Sequence, residues 1–123
     1  MTRKGRQIVS LEIIQREANG IGFLSLKGRL VLGQESSGFR TTIDNLLSSG
    51  VTRLIVNLEH VNYVDSAGLG ALIEANRTTK AKGGRLRLSS LGPRFKQALE
   101  TVRLMDMFET FPNEAAAVES VWS

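Results

Sequence analysis

Apolar and polar positions along the chain fall into segments with distinct periods. Ile8 to Arg16 and Ile21 to Leu26 read as strands, and Ala18-Asn19-Gly20 between them has the turn chemistry of a tight antiparallel hairpin. From Gly33 to Ser49 the spacing predicts a helix whose apolar face is Phe39, Ile43, Leu46 and Leu47, with Gly50 as its stop. Leu54-Ile55-Val56-Asn57-Leu58 is a nearly continuous apolar run of strand length, as expected for a strand covered on both faces. Leu69, Leu72 and Ile73 then return to helical spacing, which predicts a helix from about Ser66 to Ala81 ended by Gly83-Gly84. Arg85 to Leu88 is a short strand, and Pro93 suits the first turn of a third helix carrying Phe95, Leu99 and Val102. Met107 to Phe111 reads as a last strand ended by Pro112, and Asn113 is placed to cap a final helix through Trp122.

Strand and helix alternate after an antiparallel start, which predicts an α/β fold with parallel neighbours joined by right-handed crossovers. The expectation is a single domain over residues 1–123, with a mixed sheet of about five strands, an N-terminal hairpin and about four helices. A chain of 123 residues with 41% hydrophobic content is long enough for one core and too short for two. No apolar stretch approaches the roughly 20 residues of a membrane span. Met1 to Ser10 is basic and polar without the apolar segment of a secretory signal, so the expected address is the cytoplasm, with no membrane insertion. The absence of cysteine excludes disulfides, thiolate catalysis and cysteine-ligated zinc, and it suits a reducing compartment.

A formal net charge of +4 brings acidic partners into view. Arg77, Lys80, Lys82, Arg85, Arg87, Arg94, Lys96 and Arg103 stand against only Glu100 in one block. That block is either a docking surface for an anionic partner or a solvated face, with Arg85 and Arg87 pointing outward as Leu86 and Leu88 point inward. The second reading is favoured, because a platform for nucleic acid needs interleaved aromatics and the block holds only Phe95.

The candidate chemistry lies at the junction of the buried strand and the second helix, in Asp65-Ser66-Ala67-Gly68-Leu69-Gly70. Asp and Ser both cap helices, since their side-chain oxygens accept hydrogen bonds from free N–H groups of the first turn. Gly68 and Gly70 weaken the helix that such a cap supports, by roughly 1 kcal/mol each relative to Ala. Two readings account for them: close packing inside the fold, or a bare backbone surface on which a partner docks around Ser66. Leu69 divides in the same way, and its periodicity favours a core contact over an exposed anchor.

Enzyme motifs do not assemble. Gly68-Leu69-Gly70 lacks the third glycine of a dinucleotide loop, where Ile73 stands, and it does not follow the first strand. There is no Gly-x-x-x-x-Gly-Lys-Ser/Thr phosphate loop and no acidic cluster beside Asp65 for magnesium. His60 is the single histidine, and its spacing from Ser66 gives no support to a base role, so it reads as a loop residue. Glu59 reads as solvated. Neither a cofactor nor a metal is expected.

The run from Leu54 through Asp65-Ser66-Ala67-Gly68-Leu69-Gly70 resembles the signature of STAS domains, in particular bacterial anti-sigma-factor antagonists, where a strand ends in Asp-Ser-(Ser/Ala/Thr)-Gly-Leu-Gly. Leu104 to Ala117, with Phe108 and Glu114-Ala115-Ala116, resembles the family's final strand and helix. The resemblance implies that Ser66 is a phospho-acceptor and that residues 65–70 dock an anti-sigma factor or serine kinase of the GHKL type, which supplies the ATP. The chain departs from the family pattern at Val31 and Asn57, where acidic residues are common. The same resemblance admits a constitutive scaffold subunit, as in stress-signalling assemblies or lipid-transport ABC systems. A basic nucleic-acid-binding module using the block from Arg77 to Arg103 is the alternative from another class.

Overall fold

The computed structural model describes residues 10–122. Its elements are β1 (Leu11–Ala18), β2 (Ile21–Leu30), α1 (Gln34–Ser48), β3 (Arg53–Val64), α2 (Ser66–Ala81), β4 (Arg85–Ser89), α3 (Pro93–Thr101), β5 (Glu109–Phe111) and α4 (Glu114–Glu119), with one 3₁₀ turn at Met105–Met107. The expected start of the first strand at Ile8 lies outside the described residues. Asn19 and Gly20 form the hairpin's two-residue loop with φ of 54° and 78°. Two consecutive positive φ values give the turn whose twist matches its strands, which is why Asn-Gly stands there.

Five strands form one mixed sheet in the order β1-β2-β3-β4-β5, antiparallel between β1 and β2 and parallel from β2 onward. Because each crossover moves to the next strand in the same direction, a constant hand leaves every crossover helix on one face. That face carries the main core: Leu24, Leu26, Leu54, Val56 and Leu86 of the sheet pack with Phe39 and Ile43 of α1, Leu72 of α2, and Phe95 and Leu99 of α3. The other face is covered by α4 and the segment after it, where Ile21, Phe23 and Ile55 meet Ala117, Val118 and Trp122.

β3 runs well beyond the expected Leu54–Leu58. Between the pairs Ser25–Asn57 and Lys27–His60 it carries one more residue than β2, and again between Gly28–Val61 and Arg29–Tyr63. Each extra residue is a bulge that reverses which side chains face the core. Leu58 and Val61 are therefore both buried although their spacing is odd. At the first bulge the Glu59 N–H donates to the Asn57 side-chain oxygen at 2.9 Å. His60 accordingly sits in a strand rather than the expected loop, and it is exposed, as is Glu59.

Four other expectations change. The final helix ends at Glu119 rather than Trp122, and Met107 belongs to the 3₁₀ turn rather than to β5. Val102 lies just past α3 and is 49% exposed, not part of its apolar face. Arg87 is not an outward, solvated residue but is 1% exposed. Its side chain does point to the second face, as alternation requires, yet α4 closes over it. Its guanidinium donates to the Ala117 and Ser120 carbonyls at 2.7 and 2.9 Å and also to the Val121 carbonyl. The same group pairs with Glu109 at 2.8 Å and stacks on the Trp122 ring at 3.8 Å.

Candidate functional site

β3 delivers the chain to the start of α2 at one end of the sheet, and Asp65 fixes the junction. As the helix cap, one of its carboxylate oxygens accepts the Gly68 N–H at 2.8 Å. The other accepts the Leu32 N–H at 3.0 Å, in the connection between β2 and α1. The Leu32 N–H, followed by that of Gly68, holds the Asp65 carboxyl below the ordinary aspartate range. One side chain thus ties two loops together and remains an anion. Ser66, the first residue of α2, is exposed at this junction.

The two glycines have different tasks. A Cβ on Gly68 would lie 2.0 Å from the Leu30 carbonyl oxygen, so α2 approaches the end of β2 at a distance only glycine permits. On Gly70 a Cβ would meet nothing within 4 Å. The packing reading therefore holds at Gly68, while the backbone at Gly70 has no neighbour that a side chain would meet. Leu69 is 9% exposed and joins the main core, as its periodicity indicated. Its side chain nonetheless forms part of the floor of a hollow beside Ser66.

That hollow, of about 420 Å³, separates the start of α2 from α3 and is lined by Val64, Asp65, Ser66, Leu69, Arg94, Gln97, Ala98, Thr101 and Val102. A second hollow of about 200 Å³ adjoins it, between Tyr63, Val64, Arg94 and Ala98. Arg94, Gln97, Ala98 and Thr101 follow helical spacing on α3, on a side distinct from the Phe95 and Leu99 that anchor it to the core. None of these α3 residues belonged to the site expected from sequence. The available signal was the stripe itself: small and polar residues at i, i+3, i+4 and i+7 beside a well-formed apolar face.

Exposed apolar side chains gather at the same end. Six large hydrophobic residues are exposed among the described residues, and three of them, Leu32 (75%), Tyr63 (49%) and Val102 (49%), stand around this junction. Leu32 is tied to Asp65 through its N–H, Val102 shares the hollow with Ser66, and Tyr63 lines the adjoining one. Apolar groups left open around one hydroxyl mark a surface suited to a protein partner.

Three cations of the basic block are engaged within the fold, while Lys80, Lys82, Arg94, Lys96 and Arg103 are exposed. Arg85 and Arg87 are both taken up by Glu109 at 2.8 Å, Arg77 pairs with Glu74, and Phe95 is buried. Asn57 is engaged elsewhere as well, its amide donating to Glu114 of α4 at 2.9 Å. The absence of an acid at position 57 is thus a feature of how α4 docks. No group of three or more His, Cys, Asp or Glu side chains able to hold a metal occurs among the described residues.

The chain belongs to the STAS domain family, whose model matches residues 12–117. Similar solved structures include an anti-sigma factor antagonist from Mycobacterium paratuberculosis, at 17% identity with a TM-score of 0.78, covering 89% of this chain and 92% of that one. The Bacillus cell fate determinant SpoIIAA in its phosphorylated form matches at 21% identity with a TM-score of 0.70, covering 88% and 97%. A sulfate transporter family protein from Wolinella succinogenes matches at 19% identity with a TM-score of 0.71, covering 81% and 83%. At these identities the likeness establishes the fold. Within the described residues no helix is long and apolar enough to cross a membrane.

Proposed function

We propose that this protein is a non-enzymatic anti-sigma-factor antagonist. It docks an anti-sigma factor or serine kinase of the GHKL type through the surface around Ser66, and phosphorylation of Ser66 releases it. The observation that carries this reading is the exposed Ser66 hydroxyl set among Leu32, Tyr63 and Val102 at the mouth of an open hollow. A phosphorylated SpoIIAA among the similar structures supports a phosphorylation switch on this fold. The kinase transfers the γ-phosphoryl of its ATP: the new bond joins Ser66 Oγ to phosphorus, ADP leaves, and the hydroxyl proton passes to a base on the kinase. This chain supplies the acceptor.

A phosphoserine carries roughly −1.5 to −2 charges at neutral pH. The free N–H groups at the start of α2 accommodate that charge without unfolding the helix. A partner surface fitted to a neutral hydroxyl does not, and burying an unmatched charge costs several kcal/mol, enough to change occupancy by orders of magnitude. The fold then stays constant while the docking surface changes sign.

The test is a binding comparison with the cognate kinase, found by affinity capture. Ser66→Ala is expected to bind as wild type does, and Ser66→Asp at least about tenfold more weakly. Equal affinity of wild type and Ser66→Asp rejects the switch. A constitutive scaffold is the second reading, favoured by Val31 at a position where family members often carry an acid and by the transporter-linked relative. It requires stable co-purification with a larger complex and no effect of either Ser66 variant.

A further inference from the structure

Arg94 and Ser66 line the same hollow between α2 and α3, and Arg94 differs from the paired arginines of the basic block. Arg77 is paired with Glu74, and Arg85 and Arg87 with Glu109. Arg94 forms no hydrogen bond or ion pair with any described residue. It is exposed and lines both hollows. Among the residues lining the hollow beside Ser66, Asp65 is the sole carboxylate. Both of its oxygens are already occupied, by the N–H groups of Gly68 and Leu32. The hollow is therefore lined by a cation with no partner among the described residues and by an anion whose two oxygens are already engaged.

Resting on the reading of Ser66 as a phospho-acceptor, we infer that a phosphate on Ser66 is received by Arg94 across this hollow, so that the modification also closes the apolar floor beneath it. A phosphate dianion offers three acceptor oxygens, and a guanidinium meets them with paired N–H donors. The two side chains project from α2 and α3, whose relative position is fixed by Leu69, Phe95 and Leu99 in the core. Bridging them lays a polar strut over Val64, Leu69 and Ala98. Phosphorylation then removes the partner's apolar footing at the same time as it adds charge. In the unmodified chain Arg94 is free to meet an acidic group of the partner, so one side chain serves both states.

The experiment places phosphoserine at position 66 during synthesis, by reassignment of a stop codon, and follows the phosphate by ³¹P NMR across a pH titration at low ionic strength. Wild type, Arg94→Gln and Arg103→Gln are compared, Arg103 being a cation that does not line the hollow. An opposite charge in contact favours the dianion, so the second phosphate pKa is expected to be lower in wild type than in Arg94→Gln by about half a unit or more. Arg103→Gln should follow wild type. Superimposed curves for wild type and Arg94→Gln overturn the proposal, as does an equal shift in both variants, which reports net charge alone. Because the phosphate is installed without a kinase, a chain that is never phosphorylated in cells still answers the question. Failure of the switch itself appears separately, in the binding comparison of Ser66→Asp.

Discussion

Asp65 shows how much one carboxylate fixes at this junction. Its two oxygens hold the first turn of α2 and the connection after β2 in one geometry, through Gly68 and Leu32. Asp65→Ala leaves both N–H groups without that partner. The expected loss is about 1–2 kcal/mol, the range of a helix cap, read from urea unfolding at neutral pH. The sign of the pH dependence follows from the direction of the shift. The folded carboxyl titrates below the unfolded one, so its contribution is complete above the ordinary aspartate range and is lost as pH falls through the lower folded value. The gap between wild type and Asp65→Ala should therefore be constant around neutrality and close on the acid side. A gap that persists unchanged at the acid end would show that charge is not what Asp65 contributes.

At the scale of elements, α2 meets β2 through Gly68 and presents Gly70 to solvent. Gly68→Ala drives a methyl group against the Leu30 carbonyl, and overpacking of that kind costs about 3 kcal/mol. Gly70→Ala meets no obstacle and removes the flexibility of a helical glycine, so it should raise stability by about 0.5–1 kcal/mol. Thermal melting of the two variants checks the opposite signs, and similar losses for both would refute the division of tasks. If the partner rests on Gly70, the more stable variant will also bind it more weakly.

The same elements show what could be read before any coordinates. The hairpin was legible because Asn19-Gly20 has one favoured turn, and α1 and α2 because their apolar spacing persists over several turns. β3 was cut short in the reading because its bulges break alternation at Glu59 and again beyond Val61, and no local residue announces them. The cap at Asp65 was visible, but the half of its work done on Leu32 was not, since that contact spans 33 positions. The α3 side of the hollow was invisible for the same reason: Arg94 acquires meaning only once α3 lies beside α2.

For the whole molecule the question is what closes the second face of the sheet, since the three crossover helices all serve the first. α4 has only six residues, too few to be a stable helix alone, and its apolar contact is confined to Ala117 and Val118 with Trp122 just beyond. Arg87 supplies the remainder. It lies in β4, where Leu86 and Leu88 commit their side chains to the main core, and its guanidinium donates to three carbonyls of α4 and the segment after it while pairing with Glu109. Removing it leaves three carbonyls without their donor and Glu109 with Arg85 alone, so Arg87→Met should cost about 3 kcal/mol, chiefly from the buried carbonyls. The loss should also be local before it is global: amide exchange should quicken across residues 114–122. Trp122, the chain's single tryptophan, should shift its emission to the red as it leaves the guanidinium. Below the melting temperature the surface around Ser66 should persist, because α2 and α3 build it on the other core. A variant that keeps wild-type Trp122 emission while losing stability uniformly would place Arg87 in the general core and deny it the role of a clasp.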